Sequence, residues 1–106
     1  TQKYDAYVAQ LGDQAKRRAL KIINDLKASG LKLNYNFGKN SLKTQLESAN
    51  GLQVPYALIL GQKEVQDGTI IVRDMENGIQ EIVDLKKVVT EIKKRIEASV
   101  TDTSLL

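Results

Sequence analysis

Tyr56-Ala57-Leu58-Ile59-Leu60 presents apolar side chains to both faces of any extended strand it forms. A strand with one wet face alternates between apolar and polar residues. An unbroken apolar run must instead be covered on both sides, as in the interior of a parallel sheet with helices above and below. Pro55, just before it, is tolerated at a strand's first position. The chain therefore has to supply helices for two outer layers, and its 106 residues, 42% of them hydrophobic, are enough for one such domain.

The flanking sequence fits that demand. Tyr4 to Gln10 predicts a strand, and Asp13 predicts the N-cap of a helix running to about Ser29. Ala15, Ala19, Ile22, Ile23 and Leu26 recur at helical spacing, while Lys16, Arg17, Lys21 and Lys27 point mostly elsewhere. Gly30 predicts a left-handed helix end, and Leu31 to Tyr35 a second strand, parallel to the first because a helix joins them. A second helix is expected from Ser41 to Asn50, with Leu42, Leu46 and Ala49 on one face and Gly51 just past its end. Thr69 to Met75 and Ile79 to Val83 flank Glu76-Asn77-Gly78, a hairpin signal that makes one strand antiparallel. Asp84 predicts the cap of a last helix to about Ala98, with Leu85, Val88, Val89, Ile92 and Ile96 as its buried stripe. The sum is βαβαβββα: an α/β three-layer domain over residues 1–99, with a mixed five-stranded sheet, three helices and a loose tail at 100–106.

Composition removes several chemistries. The chain has no cysteine and no histidine, so thiol nucleophiles, disulfides, the usual zinc ligands and imidazole acid–base catalysis are out of reach. Carboxylates, lysines and hydroxyls are what an enzyme would have to use. Ala57 to Leu60 is the longest uninterrupted apolar run, far below the roughly 20 residues of a membrane helix. No basic-then-apolar leader opens the chain, and a start on Thr1 reads as a piece of something longer, with a cytoplasmic setting expected. A net charge of +3 fits an anionic partner.

In a sheet of this class ligands lie beyond the carboxyl ends of the parallel strands, here Leu11-Gly12, Tyr35-Asn36-Phe37-Gly38 and Gly61-Gln62-Lys63-Glu64. Gly38-Lys39-Asn40-Ser41 invites comparison with a phosphate loop and fails it: Leu33 stands where the first glycine belongs and Asn40 where Ser or Thr must follow the lysine. A helix start flanked by Lys39 and Lys43 still favours an anion, with plain capping as the alternative. Glu64 and Arg73 lie nine residues apart across a loop and the following strand. Brought to one site, the carboxylate can take two hydrogen bonds from guanine and the guanidinium can stack on a base or grip its acceptors. The alternative for the pair is a surface salt bridge. Phe37 and Tyr35 are candidate stacking surfaces, Tyr35 equally a core residue, and the lysine-rich face of the last helix is either solvated or part of a binding surface.

Leu42-Lys43-Thr44-Gln45-Leu46 with Ala49-Asn50, Pro55 to Gly61 with Glu64, Gly68-Thr69, Val72-Arg73-Asp74 and Gly78-Ile79-Gln80 together resemble the C-terminal anticodon-binding domain of class II aminoacyl-tRNA synthetases, nearest to the histidyl branch. The likeness runs from about Tyr7 to Ile96. It implies a sheet of order 2-1-3-4-5 with the fourth strand antiparallel, and a role in binding rather than catalysis. ATP and magnesium would belong to a separate catalytic domain of a homodimeric parent ligase, and this domain would hold no cofactor. The implied partner is a tRNA, tRNA(His) with its GUG anticodon, and the implied contacts are Glu64, Arg73, Phe37, Lys39, Asn40, Lys43, Gln45 and Gln62. Glu47 stands where the threonyl relatives place a base-contacting arginine. A competing reading is an accessory or regulatory interaction module derived from the same family.

Overall fold

The computed structural model describes residues 4–104, with side chains to residue 98. Strands β1 (Ala6–Gln10), β2 (Leu33–Tyr35), β3 (Tyr56–Leu60), β4 (Thr69–Asp74) and β5 (Gln80–Asp84) form one sheet in the order β2-β1-β3-β4-β5. β1 runs parallel to β2 and β3, whereas β4 is antiparallel to both of its neighbours. The apolar run is central as its composition requires: Ala57, Leu58, Ile59 and Leu60 are all buried.

Among the described residues four helices accompany the sheet, α1 (Asp13–Ala28), α2 (Leu42–Gly51), α3 (Gln62–Asp67) and α4 (Val88–Ser104), with a 3-10 turn at Leu85–Lys87 before the last. The sequence predicts three. The addition is α3, whose six residues include no buried one and so carry no stripe to betray them. It begins at Gly61 and ends on left-handed Gly68. A second correction falls on α1, where Gly12 (φ 95°) is the cap and its carbonyl accepts Lys16 N–H at 3.0 Å. Asp13 is thus the first helical residue, placed where a carboxylate favours the helix dipole. The far end of α1 follows expectation: left-handed Gly30 donates to Lys27 O, Leu31 donates to Leu26 O, and Leu31 packs against the core containing Leu26. α4 continues through residues 100–104, where the sequence predicts a loose tail, and residues 105–106 lie outside the described residues.

The layers are unequal. α1 and α4 pack on one face of the sheet, burying Val8, Leu58, Leu60, Ile70 and Val72 against Ile22, Ile23, Leu26, Val88 and Ile92. Among the described residues the other face is covered by α2 alone, over Tyr7, Ala9 and Ile59. β4 and β5 are left open on that side, with Ile82 72% exposed.

Candidate nucleic-acid interface

Strand β2 ends at Tyr35, opposite Val8, while β1 continues to Gln10. Gln10 then has a backbone N–H and C=O facing the β2 side with no strand to meet them, and a buried pair left unmet costs about 1 to 3 kcal/mol per group. Gln45, on α2, fills the gap. Its Oε1 accepts Gln10 N–H at 3.0 Å and its Nε2 donates to Gln10 O at 2.9 Å and to Ser41 O at 3.2 Å. The side chain of Gln10 continues the network through Nε2, which approaches Asn36 O at 3.4 Å and Lys39 O at 3.5 Å. Both glutamines are fully buried. Gln45, implied by the resemblance as an RNA contact, is thus a correction: it has no exposed atoms to offer a base, and its amide is committed to the fold.

The arc 36–41 so anchored carries three of the expected residues. Phe37 is half-buried against the ring of Tyr35, centroids 5.2 Å apart, and both rest on the α1 core, with Lys27 Nζ 5.3 Å from the Tyr35 centroid. Lys39 folds back along α2, its Nζ donating to Ser48 Oγ at 2.6 Å. Asn40 is exposed and accepts Lys16 Nζ at 3.2 Å, which brings to this edge a cation from the first turn of α1 that sequence reasoning did not single out. Ser41 Oγ caps α2 by accepting Thr44 N–H.

Glu64 and Arg73 do not meet. Arg73 is in register with Ala57 near the start of β3, whereas Glu64 lies beyond its end, and four residues of strand from Ala57 to Gly61 span about 13 Å. Glu64 Oε1 accepts the backbone N–H of Gly61 at 2.9 Å, and exposed Gln62 opens the same helix. Arg73 reaches across the hairpin to its register partner, Nη1 donating to Gln80 Oε1 at 3.0 Å, with Nη2 over Gly78. Neither expected alternative for the pair, a shared base site or a salt bridge, is what the backbone builds: sheet register separates them.

The structure instead brings Arg73 to Lys43. The two line a shallow depression of about 580 Å³ with Leu42, Leu46, Met75, Glu47 and Asn50, on the sheet face that α2 half covers. Apolar side chains make its floor and two cations its rim, with Glu47 the one opposing charge. The sequence reads Leu46 as part of a helix's apolar face and Met75 as the last residue of a strand; both are partly buried against the core under α2.

Arg95, Glu91 and Glu81 serve the scaffold. Burial opposes the charge on Arg95, yet hydrogen bonds to Glu91 and Glu81 outweigh it and hold the guanidinium pKa above its ordinary value. The Glu91 contact, at 3.0 Å, lies within α4, and the Glu81 contact, at 3.2 Å, ties α4 to β5. Arg95 therefore leaves the basic face of α4, which the sequence allows to be either solvated or part of a binding surface. Among the described residues no group of three acidic side chains is placed to hold a metal ion, and no helix is long and apolar enough to cross a membrane.

Comparison with known proteins decides the family, because residues 5–95 match the model described as the anticodon binding domain. The chain belongs to that family. Histidine–tRNA ligase of Staphylococcus saprophyticus is 34% identical over 91 residues, 86% of this chain and 22% of that protein. The enzyme of the same name from Bacillus cytotoxicus is 37% identical over 92 residues, 87% of this chain and 22% of that one. The histidyl-tRNA synthetase structure from Nostoc sp. superposes with a TM-score of 0.81 at 27% identity, over 88% of this chain and 22% of that one. This anticodon-binding domain thus spans about a fifth of the length of the curated relatives it matches.

Proposed function

We propose that this domain holds and reads the anticodon loop of a tRNA, with tRNA(His) as its cognate, for a histidine–tRNA ligase whose catalytic domain lies elsewhere in a longer chain. ATP and magnesium belong to that catalytic domain in this reading. The parent acts as a cytoplasmic homodimer. The observation that carries the proposal is that Arg73 and Lys43 line one depression together with apolar Leu42, Leu46 and Met75. An unpaired loop offers base faces that stack on such a floor, worth about 1 to 3 kcal/mol per base, while lysines draw its phosphates. Lys16, bonded to Asn40 Oδ1 at 3.2 Å, adds a further cation at the arc 36–41.

The test is binding of the chain to a GUG anticodon stem-loop and to one with both guanines replaced, across a salt series. A preference for GUG that survives higher salt supports the reading. Equal, weak and salt-sensitive binding overturns it and returns weight to an accessory interaction module.

A further inference from the structure

We infer that Gln10 and Gln45, which reach no solvent, are positioning residues for RNA recognition: they hold the arc carrying Phe37, Lys39 and Asn40 in its binding shape. The inference rests on the anticodon-reading proposal and adds to it the parts that build the site. A primary amide has two hydrogens to donate, and both are used in each residue. Gln45 gives its pair to Gln10 O and Ser41 O, while Gln10 gives its pair to Asn36 O and Lys39 O. The two clamps differ in grip. Gln45 bonds the end of β1 at 2.9 Å and 3.0 Å, which fixes the start of α2, but Gln10 holds the arc at 3.4 Å and 3.5 Å, near the limit of a useful hydrogen bond. Oε1 of Gln10 is buried without a protein partner. The arc is therefore ordered before RNA arrives, which removes an ordering cost from binding, yet its middle is held by bonds that can lengthen as it adjusts.

Gln45→Met removes the tie between β1 and α2 and risks the fold, so the deciding variant is Gln10→Met, which keeps that backbone tie and releases only the arc. Expected results are amide exchange about tenfold faster at residues 37–40, unchanged exchange in α4, and a GUG stem-loop affinity about tenfold weaker. Ile92→Val, a core change on α4 outside the arc and its glutamine anchors, serves as the control for general destabilisation and leaves GUG affinity within about twofold. Wild-type affinity and exchange in Gln10→Met overturn the positioning role, as does an equal affinity loss in Ile92→Val. A wild-type chain with no preference for GUG overturns the anticodon reading itself, a separate result from either of these.

Discussion

Glu64 accepts the backbone N–H of Gly61 at 2.9 Å, so the carboxylate that the family resemblance marks as a base reader also secures the first turn of α3. A carboxylate has acceptor sites to spare, so Glu64 can keep that cap through Oε1 and still face a base through Oε2. Glu64→Ala is expected to lower stability by about 1 kcal/mol, while Glu64→Gln, which keeps an acceptor oxygen, loses little. A Cβ on Gly61 would meet Glu64 Oε1 at 2.8 Å and push the flexible carboxylate aside. Gly61→Ala with Glu64→Ala should therefore cost no more than Glu64→Ala alone. Urea unfolding of the four chains checks this.

Arg73 and Lys43 line one depression and are expected to fail differently. Arg73→Ala should weaken GUG stem-loop binding by about 1 to 3 kcal/mol and narrow the preference over the guanine-replaced loop. Lys43→Ala should weaken both loops alike and flatten the salt slope by about 0.7, the increment for one phosphate contact on a single strand. Titrations at several salt concentrations separate the two.

Tyr7 is 1% exposed beneath α2, and its hydroxyl has no hydrogen-bond partner although Ser48 lies close by. Burial pushes its pKa above 10.0, with Ser48 offsetting part of the effect. A phenol that stays neutral in the fold and ionises when unfolded favours folding below its unfolded pKa and loses that advantage as pH rises. Tyr7→Phe should leave stability at neutral pH equal or higher, since it removes an unmet polar group, and should make stability fall less steeply above about pH 10. Thermal melts from neutral to alkaline pH check both.

Glu91 has the opposite sign. Its hydrogen bond with Arg95, then the charge of Lys94, lower its pKa below 4.5. Its contribution is present above that value and is lost as pH falls through the lowered folded pKa. Glu91→Gln is expected to reduce the acid dependence of the urea midpoint while changing neutral stability little. Solvent exposure limits the effect, so the slope of midpoint against pH is the sensitive readout.

Where the sequence announced an element, it did so through residues whose reason is local. Tyr56 to Leu60 needs cover on both faces, and Gly30 adopts the left-handed turn that ends α1. α3 escaped because its six residues send only Val65 toward the core, and one apolar position makes no period; Glu64, three positions after Gly61, was the available sign of a helix start. The separation of Glu64 from Arg73 is a matter of register, which spacing along the chain does not encode. Gln45 was hidden by its polarity: three positions after Leu42 and four before Ala49 it lies on the apolar face of α2, and the strand end that buries it is 35 residues away.

The amide of Gln45 also fixes how long β2 can be. Two more residues on that strand would offer their own N–H and C=O to Gln10, expel the side chain now seated there, and lift the start of α2 away from the sheet. Insertions between Tyr35 and Ser41 are thus acceptable only as loop, never as strand, and the distance from the sheet edge to Lys43 is set by the size of a single glutamine.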